Sequence, residues 1–311
     1  MDNNIICTEC GFESTGKDMF CKKCGGENMR LSDSIELSRL EADQGEAGAQ
    51  YYLGLCYSEG RGVKQSYSEA VKWYKLSADQ GFAYAQYNLG LMYRKGEGVT
   101  QNDSEAVRLY KLAADQGRDN AQFRLGLSYS EGRGVKQSYS EGVKWYKLAA
   151  DQGNAGAQYY LGLCYSEGLG VTESYSEAVK WYKLSADQGF SYAQYNLGVM
   201  YNKGQGVTQS YSEARKWCKL AADQGFAPAQ YNLGLMYRKG EGVTQNDSEA
   251  VKWFKLVADQ GYDYAQANLG FMYAEGKGVT QNYSEARKWF TLAADQGNDY
   301  SKKVLEIIKN K

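Results

Sequence analysis

The 311-residue chain contains no histidine. That absence removes Ser-His and Cys-His nucleophile pairs and every imidazole metal ligand, so an enzyme here would have to work with carboxylates, lysine, tyrosine or cysteine. No apolar run approaches the roughly 18 to 20 residues needed to span a bilayer. The opening MDNNIICTEC lacks the basic start and apolar stretch of a cleavable signal. A cytoplasmic protein with reduced thiols is the expectation, with signal-independent export left open. Charge of one sign is missing too. The net charge of −1 and pI near 5.8 leave no basic footprint for nucleic acid or an anionic membrane.

What is present is a repeat. Asp-Gln-Gly recurs with its glycine at Gly45, Gly81, Gly117, Gly153, Gly189, Gly225, Gly261 and Gly297, each 36 residues after the last and without insertion. A fixed period of this size signals stacked supersecondary units. Aromatics reach 14%, mainly because 28 tyrosines return at fixed repeat positions.

In the unit that starts near Ala49, the residues Ala49, Leu53 and Tyr57 fall at i, i+4 and i+8, one apolar helical stripe. Gly60-Arg61-Gly62-Val63 breaks it, since paired glycines supply the positive φ of a sharp turn. This recurring Gly-x-Gly-Val is read as a turn. A phosphate loop would need a preceding strand and a further glycine or Gly-Lys-Ser/Thr ending. Ser66 with Glu69 then opens a second helix as a capping box, as do Asn102 with Glu105, Ser138 with Glu141, Ser174 with Glu177 and Asn246 with Glu249. Ala70, Trp73, Tyr74, Leu76 and Ala78 are the expected buried face, and Gly81 ends the helix. Such short helices are marginal alone, and a pair cannot bury both its faces. Stacking in file resolves this, which predicts an all-α, α/α superhelical solenoid of helix–turn–helix repeats.

The pattern as it stands at Ala157, Leu161, Gly162, Tyr165, Gly168, Gly170 and Val171, followed by Ala178, Trp181, Tyr182, Ala186 and Gly189, resembles the Sel1-like repeat family, relatives of the tetratricopeptide repeats. The likeness covers about nine-tenths of the chain and recurs seven times. It implies a superhelix that binds other proteins, usually as an adaptor. Leu109 stands where the pattern has tryptophan, Gly142 where it has alanine and Cys218 where it has tyrosine, so those units are expected to be locally looser. Some secreted members of the family carry a disulfide in each repeat. Cys56, Cys164 and Cys218 do not show that pairing and are expected to be buried or half-buried thiols.

Residues 1–29 read as a separate module. Cys7, Cys10, Cys21 and Cys24 form two C-x₂-C pairs ten residues apart, with Gly11 and Gly25 after the second cysteine of each. Four thiolates so spaced can surround one structural Zn2+ tetrahedrally, and the bound metal would supply the folding energy. Disulfides are the competing reading, disfavoured without a secretory signal. The segment resembles zinc ribbons found at the N-termini of many prokaryotic proteins. Four cysteine ligands leave no open position for a substrate, and the ribbon's acidic residues offset its lysines.

Residues 30–311 are the expected solenoid. It comprises a half-repeat cap over 31–45, seven units from about 46 to 297, and a capping helix over 298–311 that carries Glu306 and Lys309 where inner units have glycine and tyrosine. Comparing the copies, the positions equivalent to 48, 52, 56 and 59 vary and lie on one helical face. In solenoids of the resembled family the first helices line the concave side. The expected partner-binding residues are therefore Tyr84, Asn88, Met92, Lys95, Asn196, Met200, Lys203, Asn232, Met236 and Lys239. Asparagine can hold an extended peptide backbone, tyrosine and methionine give adaptable apolar contact, and lysine favours acidic groups. The expectation is a non-enzymatic scaffold for protein or peptide partners, with no small-molecule substrate and no membrane. The alternatives are a nucleic-acid-associated factor acting through the ribbon and, on family likeness, a hydrolase or cell-wall-related enzyme.

Overall fold

Two helices and two glycine turns recur every 36 residues. The structure is a computed structural model that describes the backbone of residues 4–7, 13–15 and 28–309, and side chains over 35–309. Among the described residues there are sixteen α-helices and three short strands. Strand β1 (Asn4–Cys7) pairs antiparallel with β2 (Glu13–Thr15) and β3 (Asn28–Arg30), in the order β2-β1-β3. Cys7 ends β1, while Cys10, Cys21 and Cys24 lie outside the described residues, as does the side chain of Cys7. The zinc expectation therefore falls outside what the structure describes.

The helices belong to two units that divide between Gln152 and Gly153. The first holds α1 (Leu31–Asp43), α2 (Ala47–Glu59), α3 (Tyr67–Asp79), α4 (Ala83–Lys95), α5 (Asp103–Asp115), α6 (Asp119–Glu131) and α7 (Tyr139–Asp151). In the second are α8 (Ala155–Glu167), α9 (Tyr175–Asp187), α10 (Ser191–Lys203), α11 (Tyr211–Asp223), α12 (Ala227–Lys239), α13 (Asp247–Ala258), α14 (Asp263–Glu275), α15 (Tyr283–Asp295) and α16 (Asp299–Ile308). Even-numbered helices from α2 to α14 are the first helices of the repeats (A), odd-numbered ones from α3 to α15 are the second (B), and α16 follows the last repeat. Within each unit a helix packs mainly on its sequence neighbours, the arrangement of an all-α repeat solenoid.

The local chemistry explains each boundary. Every A helix of the seven repeats stops at a left-handed glycine such as Gly96, whose amide donates to the Met92 carbonyl. The second glycine of the turn serves a different end. A Cβ on Gly98 would sit 2.3 Å from the backbone of Tyr67, so it lets the turn press on the preceding B helix. The B helices begin as expected, Ser66 Oγ accepting from the Glu69 amide. The reciprocal half of the capping box is not what forms. The Ser66 amide donates across the turn to the Tyr57 carbonyl at 2.9 Å. The Glu69 carboxylate is thereby left to pair with Lys72.

The buried face of a B helix is Ala70, Tyr74, Ser77 and Ala78, spaced i, i+4, i+7 and i+8. Leu76 is not part of it. It is 48% exposed because it lies about 200° around the helix from Tyr74. Trp73, Trp145, Trp181 and Trp253 are half-buried, and Trp217 and Trp289 are buried. The glycine after the buried leucine of an A helix admits the aromatic ring of its own B helix, except at Gly198, which meets Cys218. A Cβ on Gly54 would lie 2.5 Å from Cδ1 of Tyr74.

A buried glutamine ladder ties the repeats together. Gln86 is buried, and its Nε2 donates to the Ala78 carbonyl of the preceding helix. Its Oε1 accepts from Nε2 of Gln116 at 2.8 Å, the glutamine of the next Asp-Gln-Gly. Gln116 also donates to the Gly81 carbonyl. The same bonds recur at Gln194 with Ala186 and Gln224, and at Gln266 with Ala258 and Gln296. These contacts satisfy buried polar groups that stacking would otherwise strand.

Candidate functional site

The A helices carry the varied positions, and the structure divides those positions by depth. Tyr84 is 45% exposed and Lys95 is exposed, in the first unit; Lys203 and Lys239 are exposed in the second. Asn88, Asn196 and Asn232 are half-buried. Met92, Met200 and Met236 are 4, 4 and 3% exposed, so the expectation that they contact a partner is corrected. Their helical position points into the hairpin, where Met92 packs with Tyr74, Leu89 and Leu109.

The asparagines are also partly committed. Asn88 Nδ2 donates to the Tyr74 hydroxyl at 3.4 Å, and its side chain also hydrogen-bonds Tyr51. Asn196 bonds the hydroxyls of Tyr159 and Tyr182 in the same way. The ring hydroxyl of Tyr182 further shares a hydrogen bond with Ser166 at 3.1 Å. Burial raises the Tyr182 hydroxyl above the usual range, while the bonds to Ser166 and Asn196 pull the other way. This Asn–Tyr–Ser arrangement belongs to the packing and was not legible as such in the sequence.

Further aromatic residues flank the expected ones. Arg118 stacks on the Tyr84 ring at 3.8 Å, and Tyr84 lies 5.8 Å from the Tyr51 ring. In the second unit Tyr192 is 50% and Tyr264 67% exposed, both at the position of Tyr84. Two cavities open on the A helices of that unit. One, of about 270 Å³, is bounded by Arg238, Tyr264, Asn268, Phe271 and Tyr300. Asn268 donates there to Tyr231 Oη at 3.0 Å and accepts from Arg238.

The other cavity, of about 280 Å³, brings together four of the expected residues, Lys203, Asn232, Met236 and Lys239, with Asn202 and Cys218. It exists because Cys218 occupies the position of the buried rings Tyr182 and Phe254. Of the three positions expected to be loose, this is where the structure shows an opening, since Leu109 is fully packed and Gly142 lies close against Ser130. Burial pushes the Cys218 thiol up to about 12, which makes it a packing group rather than a nucleophile. Cys56 and Cys164 are likewise buried thiols. Lys239 pairs with Glu241 at 3.5 Å, as Lys95 does with Glu97. Lys203 has Gln205 at that offset and no acidic partner among the described residues.

No helix among the described residues is long and apolar enough to cross a membrane. Among curated proteins the chain has no match. Two solved structures are similar over 89% of the chain. One is a protective antigen present in uropathogenic Escherichia coli strains displaying an SLR fold, at 39% identity and a TM-score of 0.85. The chain spans 60% of that antigen's length. The second is a Sel1 repeat protein from Oxalobacter formigenes, at 37% identity, a TM-score of 0.72 and 80% of that chain. The Sel1 repeat model matches seven times, at residues 47–82, 83–117, 119–154, 155–190, 191–226, 227–262 and 263–298. Proteins of this kind are generally non-enzymatic modules for protein–protein interaction, and no catalytic family is indicated. With seven consecutive repeats matched and two Sel1-type structures alike over nearly its whole length, the chain belongs to the Sel1 repeat family.

Proposed function

We propose that this chain is a scaffold that binds protein or peptide partners along the face formed by its A helices. The observation that carries this reading is the combination of exposed tyrosine and lysine on that face. Tyr264 and Lys203 each line a cavity in the second unit, where Tyr192 is exposed and packs on the Phe226 ring, and Tyr84 stands under Arg118 with Lys95 nearby in sequence in the first. Exposed aromatic rings beside cavities are the composition of interface hot spots, because a ring buries much area at little entropic cost. The contributing residues are now Tyr84, Lys95, Lys203 and Lys239 with Tyr192 and Tyr264 added. Met92 and Met200 act from beneath as packing, Met236 lines the cavity beside Lys203, and Asn88 and Asn196 act through the tyrosines they hold.

The proposal includes a cytoplasmic location and one structural Zn2+ held by Cys7, Cys10, Cys21 and Cys24. A zinc ribbon would serve folding or docking there, with no place for chemistry. The test is partner capture by the full chain, compared between two variants. Tyr192→Ser with Lys203→Glu alters the A face; Leu184→Ser alters an exposed leucine on a B helix. Partners retained by the B-face variant and lost by the A-face variant are the expected result. Equal capture by both would overturn the assignment.

A further inference from the structure

The cavity beneath Cys218 is more than missing volume. At the equivalent place in the repeat before it, the Tyr182 ring fills the space beside Gly162, and its hydroxyl is held between Ser166 and Asn196. The next repeat keeps the matching glycine, Gly198, and keeps polar groups at both holding positions, Asn202 and Asn232. Only the ring is gone. Asn232 still bonds Tyr195, but its second partner, the hydroxyl that Asn196 finds on Tyr182, has no counterpart on Cys218. The floor, with Gly198, Cys218 and Met236, is buried, whereas the rim, with Asn202, Asn232 and Lys203, is half-buried to exposed. The result is a slot of about 280 Å³ with an apolar floor, and with amides, the Lys239–Glu241 pair and the unpaired Lys203 around it.

We propose that this slot receives the C-terminal aromatic residue of a protein partner. The ring would fill the space that Cys218 leaves, Asn202 and Asn232 would bond the backbone amide at the rim, and Lys203 would take the terminal carboxylate. The choice follows from charge and depth. An apolar floor excludes the charged end of the ligand, and the Lys203 ammonium at the rim, where the one carboxylate, Glu241, is already paired with Lys239, favours an anion. A C-terminal aromatic residue carries ring, amide and carboxylate on a single Cα, so all three features of the slot are met at once. This rests on the A-face reading above and specifies one subsite of it.

The test uses the full chain and three probes, N-acetyl-L-phenylalanine, its carboxamide, and acetyl-aspartyl-phenylalaninamide, followed by amide chemical-shift changes on titration. The acid is expected to bind saturably with shifts centred on Asn202, Lys203 and Asn232, and more tightly than either amide-terminated probe. Lys203→Gln is expected to weaken the acid by about fivefold, the size of one exposed ion pair, and to leave the carboxamide unchanged. Cys218→Tyr and Cys218→Phe restore residues found at the equivalent positions, so both should fold, with a raised melting midpoint, and should show no saturable binding. Undiminished binding in a folded Cys218 variant would overturn the proposal, as would a wild-type chain that shows no saturable shifts. Acetyl-aspartyl-phenylalaninamide binding as tightly as the acid would overturn the C-terminal assignment. If the probes fail while the A-face variant still loses its partners, the slot assignment falls and the broader reading stands.

Discussion

Gln194→Met tests whether the glutamine ladder couples neighbouring repeats. The side chain is buried, donates to the Ala186 carbonyl at 3.2 Å and accepts from Gln224 Nε2 at 2.8 Å. Methionine keeps the length and most of the volume, so the change isolates the two hydrogen bonds. The Ala186 carbonyl still accepts from the Gly189 amide at 2.9 Å, and Gln224 still reaches the Leu220 carbonyl. Neither partner is stranded outright. The expected cost is therefore the two bonds at about 1 kcal/mol each, about 2 kcal/mol in all. Urea unfolding followed by far-ultraviolet circular dichroism measures it. Gln224→Ala and the double variant complete a cycle whose coupling should be about 1 kcal/mol. A lower m value in the single variants would show that the repeats have begun to unfold separately. A Gln194→Met chain within 0.5 kcal/mol of wild type would refute the inter-repeat role, and an additive cycle would show that the Gln194–Gln224 bond within the repeat contributes nothing.

Alkaline pH should destabilise the protein. Burial raises the Tyr74 and Tyr159 hydroxyls from about 10 to about 12, and the Cys164 and Cys218 thiols from about 9 to about 12. These groups ionise first in the unfolded chain, so their contribution is complete below about pH 9 and is lost as pH climbs towards 12. Urea midpoints at pH 8, 9.5 and 11 should fall in that order, and a flat profile would contradict the burial argument. Gly90→Ala should destabilise by about 1–3 kcal/mol although alanine favours helix, because its Cβ would lie 2.7 Å from the buried Tyr110 ring. A stabilising effect in chemical denaturation would show that the ring yields freely. Elemental analysis should find one zinc per chain, absent after Cys21→Ser. Native thiol labelling of the chelated protein should modify the N-terminal cysteines and spare the buried Cys56, Cys164 and Cys218; a metal-free native chain would remove the zinc proposal.

The period, the helix–turn–helix unit and the caps at Ser66 and Gly60 were legible in the sequence because they are local. A glycine forced to positive φ and a serine three residues before an amide need only their immediate neighbours. The same comparison of copies singled out Lys203, Asn232 and Lys239 as variable, and the structure gathers them at one cavity. Depth was another matter. Leu76 and the methionines sit within a helical turn of core residues, and hydrophobicity alone could not say that Leu76 turns outward while Met92 turns in. That depends on where the neighbouring helix lies. The conserved look of Gln86 and Gln116 among the copies was a signal, but their meaning needs two side chains thirty residues apart brought to 2.8 Å. Likewise Cys218 read as a departure from pattern, and only packing turns it into a slot: a missing ring matters because Gly198 makes room for one and Asn202 and Asn232 stand where its hydroxyl would be held. Sequence thus determined what each repeat must build, since backbone conformation and periodicity act over a few residues. Tertiary structure decided which surfaces remain open, since exposure is a property of the stacked array and of no single repeat.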